Sequence, residues 1–564
     1  MKKLILIATL LLPIQIFAQS LEYAWANRVG GQTDAELLWR VAVDDSGNVF
    51  SAGCFRGTFS DQGVVVTSTG QVDVILLKYN KDGILQWAKT GGGVSTDIAY
   101  GVDTDADGNV YITGAFSGLA VFDTELLNVP DPSGVGLPFH FIAKYNRDGD
   151  LIWIKTVNAV FGPSDYPNSI AYDLKIDAAG SLIVTGQYNC AVPDTLDPQF
   201  SIMSMDGFAF KTCGLTSYPY VFVQKLDTAG NTTWLHSIGG LNGLGTLQSI
   251  AFDSNNNIVT VGCTSGGTDF IAGSINLPNT ASNGTTGLMY RLDTNGNPLN
   301  GFALDVSNLS NFEDLAIDVN DNLYMVGYYR GVLNGIYNAS GNDGVVLKTD
   351  IAGNELWVKT LAGPGDDYFA GITNTTDPGK FALAGYYFYQ SLFDSTSLNI
   401  GPGNKSALIL MDTNGDYLER LQPVTSGGGF ALVADIRADD EGNYYLCGDM
   451  EGSAVFTNDT IIALSQDMYV CKVSPVVVNG ITGSDGLDNN FLVYPNPSTA
   501  IVNIQFAEAD ERKMELLSID GQLLLERNFS EQHIKIDLSQ MPSGIYLIKW
   551  TGSGQAGVQR IVKI

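Results

Sequence analysis

Between residues 20 and 475 the chain alternates short apolar–polar stretches of period two with turns of Asp, Asn and Gly. Such alternation predicts half-buried strands joined by tight turns. One unit recurs: a polar turn, an alternating strand and a closing glycine. Its copies run DDSGNVFSAG to Gly53, DADGNVYITG to Gly114, DAAGSLIVTG to Gly186 and DSNNNIVTVG to Gly262. DVNDNLYMVG follows to Gly327, a degenerate TDPGKFALAG to Gly385, and DDEGNYYLCG to Gly448. Successive closing glycines lie 61, 72, 76, 65, 58 and 63 residues apart, so loops of varying length are inserted on a constant unit.

A second motif falls between these copies: an apolar strand, a Gly turn, and a strand carrying Trp four residues later. Trp87, Trp153, Trp234 and Trp357 fill that place, while Asn300 and Glu419 stand there in two copies. Recurrence in step with the repeat reads as packing between neighbouring units rather than as sugar-stacking rings. Each repeat thus offers four strands. The seventh copy stops after its first half at MYVCKVS, and the missing Trp strand is found at the other end, in LEYAWANRVGG with Trp25. A half-repeat at each end is what ring closure requires, since it removes the open sheet edges. The reading is all-β, a seven-bladed β-propeller over 19–475 followed by a small C-terminal β-sandwich.

The run from GG through D-x-x-GN-x-Y-x-TG to F-x-x-K-Y-x-x-x-G-x-x-x-W resembles the bacterial seven-bladed propeller repeat of secreted and cell-surface proteins. That implies a fold and leaves function open. After a Gly/Asn/Asp-rich linker at 476–490, residues 491–564 show about seven alternating strands. This tail resembles the type A C-terminal sorting domain of the type IX secretion system. Tyr494-Pro495-Asn496-Pro497, the turn at Gly521, and Gly544 with Tyr546 carry the likeness. The resemblance implies export across an outer membrane, with the secretion machinery and a sortase as partners, and a secreted or surface-attached product. A carbohydrate-binding or adhesion sandwich is the alternative for this domain.

The N-terminus fits a secretory signal peptide over 1–18: Lys2 and Lys3, an apolar run from Leu4 to Leu12, and Ile16-Phe17-Ala18 before the cut. That run is too short to span a bilayer, and no membrane span is expected. The net charge is −30, nearly all of it within 19–475. Such a field repels nucleic acid and anionic lipid, and suits divalent cations, basic partners or neutral glycans. It also serves simply to keep a secreted protein soluble.

No HExxH, GxSxG, CxxC or phosphate loop is present, and the three histidines, His140, His236 and His533, lie in different strands. No catalytic residue and no cofactor is assigned. Asp103, Asp105 and Asp107 before Gly108 have the alternation of a calcium loop, but lack its terminal Glu and coincide with the ordinary repeat turn. Calcium there is an expectation to set against plain turn chemistry. Cys54, Cys263, Cys447 and Cys471 read as small core residues. Cys190 and Cys213 share one long insertion, and in an oxidising compartment a bridge between them is expected. Ligand specificity would sit in variable loops such as 128–140 and 187–219. The expected function is a secreted or cell-surface scaffold binding an extracellular protein or glycan. A polysaccharide hydrolase or lyase and a passive structural protein are the alternatives. Convergence of acidic, aromatic and basic side chains at one mouth of the channel would separate them.

Overall fold

The repeated polar turns close on themselves. In the first copy, the Asp44 carboxylate accepts the N–H groups of Ser46 and Asn48, both at 2.9 Å, and the Asn48 amide at 2.8 Å. Gly47 takes the left-handed backbone that the fourth turn position demands (φ +76°). Asp105, Asp177, Asp253, Asp318 and Asp439 repeat the carboxylate's role. Much of the acidic excess is therefore turn chemistry.

The computed structural model describes residues 19–563, apart from 31–35, 130–135, 161–167, 190–201, 211–219, 239–243, 266–268, 273–274, 282–283, 389–390, 395, 398–403, 457–458, 478–490, 495–497, 499, 507–510, 519–522, 540, 543 and 553–554. It divides into two compact units, Leu21–Pro475 and a second that contains Val476–Ile564.

In the first unit, turns and strands build seven antiparallel blades of four strands, two of them extended to six-stranded sheets by insertions. Their innermost strands are Leu37–Val43, Ile98–Thr104, Asn168–Ile176, Leu244–Phe252, Leu309–Ile317, Tyr368–Asn374 and Val424–Ala438, heading blades 1 to 7. Each packs against the next, and the seventh against the first. The N-terminal strand Gln19–Val29 is hydrogen-bonded to Asp459–Val477 as the outermost strand of blade 7. The ring is closed by the two ends of one unit, as the split repeat predicts.

The indole N–H groups of Trp25, Trp87, Trp234 and Trp357 latch blades 7, 1, 3 and 5 to their successors. The Trp25 indole N–H donates to Lys81 O at 3.0 Å, Trp87 to Arg147 O at 3.2 Å, and Trp357 to Thr413 O at 3.2 Å. A Cβ on the turn glycines Gly83, Gly149 or Gly230 would collide with the Trp ring of the preceding blade. Asn300, in the Trp position of blade 4, keeps the same bond, to Ile351 O at 3.0 Å. Two insertions add further ties: Leu119–Phe122, from blade 2, pairs with the outer strand of blade 1, and Leu392–Phe393, from blade 6, with that of blade 5.

The second unit is a sandwich of a three-stranded and a four-stranded sheet, seven strands in all among the described residues. Its core includes Val502, Ile504, Phe506, Leu516, Ile548 and Trp550. Tyr546 is buried there, with its hydroxyl donating to Pro542 O at 2.7 Å.

Candidate functional site

The closing glycines that count the repeats also shape the channel mouth. At Gly53 a Cβ would stand 1.9 Å from Leu37 O, and at Gly114 1.9 Å from Ile98 O. Only glycine admits that approach, and beside each one the innermost strand carries a bulge. One residue per blade is thereby left out of the ladder: Trp39, Tyr100, Tyr172, Gln248, Glu313, Ala370 and Ala434. Six of the seven stand 14 residues before their closing glycine, and the degenerate blade 6 places its own at 15.

All seven bulge residues line one cavity of about 520 Å³ at the channel mouth. Tyr328, Tyr386 and Asp449, each directly after a closing glycine, join them from the second strands. The aromatic rings form two arcs. Trp39 lies 5.8 Å from Tyr100, which lies 5.5 Å from Tyr172. On the other side Tyr368 stands 4.7 Å from both Tyr328 and Tyr386. Gln248 and Glu313 occupy one gap between the arcs, and the small Ala370 and Ala434 leave the other open beside Asp449.

In four blades the position after the bulge carries a charge: Arg40, Asp173, Asp314 and Asp435. Buried Asp173, Asp314 and Asp435 each accept a backbone N–H from the neighbouring blade: Ile250 at 2.9 Å, Ile372 at 3.0 Å and Val41 at 3.0 Å. Arg437 bridges Asp314 and Asp435 at 3.0 and 2.8 Å. Arg40 donates to Gln248 O at 3.1 Å. Burial works against ionised Asp314, yet Arg437 and Arg40 outweigh it and hold its carboxyl below the usual range. Two carboxyls at the mouth behave otherwise. Burial pushes Glu313 up, against Arg40 and a 2.7 Å bond from Asn311, and pushes Asp449 up to about 6, against Gln466.

Asp103, Asp105 and Asp107 are put to separate uses. Asp103 accepts Ile176 N–H of the next blade at 3.0 Å, while Asp105 serves its own turn, binding Asn109 and Tyr111. Among the described residues no group of three His, Cys, Asp or Glu side chains is placed to hold a metal ion. Cys190 and Cys213 lie outside the described residues, as do Pro495, Asn496, Pro497 and Gly521. Tyr494 ends a strand, opposite Asn503, and Gly544 opens one opposite Lys563. Cys54, Cys263, Cys447 and Cys471 are buried free thiols. His140 is a junction residue between blades 2 and 3, bonded to Ser169 Oγ at 2.9 Å with its ring 5.0 Å from that of Phe222. The loops 128–140 and 187–219 lie in large part outside the described residues, and the mouth is built instead from innermost strands. The signal that locates it, an offset of 14 or 15 residues before the closing glycine, is present in the sequence.

Comparison with known proteins identifies one of the two units. Residues 492–564 match the family model of the secretion system C-terminal sorting domain. The second unit is a sorting domain. The sorting domain marks the chain for type IX secretion, to the cell surface or the medium. Partners in the secretion machinery follow from this match; a sortase does not. An uncharacterised WD repeat-containing protein of Acanthamoeba polyphaga mimivirus is 23% identical over 398 residues, 59% of this chain. The match spans only 28% of that relative's length. Similar solved structures include the Myceliophthora thermophila Cps50 (Swd1) β-propeller domain, 7% identical with TM-score 0.34, covering 79% of this chain and 99% of the other. PorZ, a surface component of the Porphyromonas gingivalis type IX system, is 11% identical with TM-score 0.23, covering 93% and 81%.

Proposed function

We propose that the propeller is an extracellular binding module, delivered by its sorting domain, that takes a neutral glycan segment in the aromatic cup at its channel mouth. The observation that carries this is convergence: seven blades place their one unladdered residue around a single cavity. Its volume of about 520 Å³ suits a small ligand or the end of a larger one. Sugars combine apolar C–H faces with hydroxyls. The Trp39 and Tyr368 arcs offer faces for stacking, and Gln248, Glu313 and Asp449 offer hydrogen bonds between them. The test is a glycan array on the purified propeller with its sorting domain, followed by calorimetry. Trp39→Ala and Tyr368→Ala are expected to weaken the glycan at least tenfold each. An array without hits, or affinities untouched by both variants, would leave a protein partner or a passive surface role instead.

Catalysis on a polysaccharide is favoured by one observation. Glu313 and Asp449 share the cup, and burial raises both carboxyls, as a general acid requires. Turnover of any polysaccharide in a panel, abolished by Glu313→Gln, would establish that reading over simple binding.

A further inference from the structure

Between the blades, six carboxyls are buried in three pairs. The first member of each sits on a third strand, opposite the residue two after the closing glycine: Asp73 opposite Phe55, Asp343 opposite Tyr329, and Asp467 opposite Met450. The second member precedes the innermost strand of the next blade, as Asp97, Asp367 and Glu36 respectively. All six are at most 4% exposed. Three of the other four junctions place Phe139 with Ser169, Tyr220 with Gly245, and Thr286 with Ser310 at these positions. At none of these does one acid appear without the other.

Two ionised carboxylates buried side by side repel strongly unless something of opposite charge lies between them. At the junction of blades 7 and 1 the chain supplies it: Arg28 Nε is 2.6 Å from Asp467 Oδ2. The same strand position in the next repeat, three residues after the Trp, is Thr90. At the junction of blades 1 and 2, no described lysine or arginine pairs with Asp73 or Asp97, and the Asp73 charge bears on Asp97. The local hydrogen bonds are also incomplete. Asp73 Oδ2 accepts Thr69 N–H at 2.7 Å and its hydroxyl at 2.8 Å, and Asp97 accepts Gly93 N–H at 2.8 Å and Ser117 N–H at 3.0 Å. Asp73 Oδ1, on a residue 2% exposed, has no hydrogen-bond partner. It points to the same place as Asp97 Oδ2: a Cβ built on Gly92 would meet them at 2.9 and 2.7 Å. Gly30, at the Arg28 junction, faces Asp467 Oδ1 and Glu36 Oε2 in the same way.

We infer that the junction of blades 1 and 2 binds a hard inorganic cation between Asp73 and Asp97, in the role that Arg28 fills at the junction of blades 7 and 1. Carboxylate oxygens select ions of the calcium, magnesium or sodium class over softer metals. The site is separate from Asp103, Asp105 and Asp107. The Asp343–Asp367 junction repeats the pair, with Thr360 at the Arg28 position.

The experiment uses the mature full chain, stripped with chelator and dialysed, then titrated with calcium, magnesium, sodium or potassium. Bound ion and thermal melting are both followed. One of these cations is expected to bind and to raise the melting temperature. Asp73→Asn should lose one bound equivalent. Thr90→Arg should also lose it, yet melt higher than the wild type in chelator, because the guanidinium takes the ion's place. If Asp73→Asn fails to fold, the wild-type titration and Thr90→Arg still decide. A wild type that binds none of the four ions overturns the inference, and so does a stoichiometry that neither variant lowers. An ion-free protein stabilised by Asp97→Asn would instead identify a carboxyl pair sharing a proton.

Discussion

At the scale of single residues, burial decides what each polar group does. Trp39 and Glu313 acquire a role because a bulge turns them out of the ladder, whereas Asp44 and its counterparts are spent on turns. His140 shows the consequence for pH. Enclosed between blades 2 and 3, its imidazole is pushed by burial from 6.5 down to about 3. The folded value lies below the unfolded one, so the unfolded chain takes up the proton first as pH falls. The stability tied to neutral His140 is complete above about 6.5 and is lost as pH falls toward 3, at about 1.4 kcal/mol per unit at most. His140→Phe keeps a ring beside Phe210 and Phe222 and removes the titration. Between pH 7 and pH 5 the wild type is expected to lose about 2 kcal/mol more than this variant in urea unfolding. Equal losses in the two proteins would refute the assignment.

At the scale of strands and blades, the informative feature is the split seventh blade. Gln19–Val29 contributes hydrogen bonds along one edge of Asp459–Val477, and Trp25 latches that blade to blade 1. Deleting residues 20–31 removes both and leaves an unpaired edge. The truncated chain is expected to aggregate, or to melt well below the parent, as followed by light scattering and calorimetry. A monomer with an unchanged melting curve would contradict closure. The Trp latch was legible as a recurrence four residues after a turn glycine. Its partner was not, because the carbonyls of Lys81 or Arg147 lie 56 and 60 residues along the chain.

For the whole molecule, the two units divide the labour. The propeller has its own closed ring and cores, and the sorting domain its own. Removing residues 491–564 is therefore expected to leave a folded propeller that stays behind in the periplasm. Protease accessibility on intact cells, with fractionation, reads this directly. Surface delivery of the truncated chain at the normal level would disprove the role of the sorting domain.

The sequence by itself determined the strands, the count of seven, the closure and the identity of the tail. Each of these is written in local chemistry that repeats: Asp for the turn, Gly for the bulge, Trp for the latch. Where Asp103, Asp105 and Asp107 stand near each other in sequence, alternation suggested one site, and the strand instead sent Asp103 to the next blade. The offset that marks the cup residues is in the sequence, but their convergence on one cavity, like the Asp73–Asp97 pair, is decided by the tertiary structure. Trp39, Glu313 and Asp449 are each more than a hundred residues from the next, and neighbouring Leu38 is buried while Trp39 is 38% exposed. Ring geometry alone brings one such residue from every blade to a common axis, and it alone gives Thr90, in the place of Arg28, a buried carboxyl pair to face.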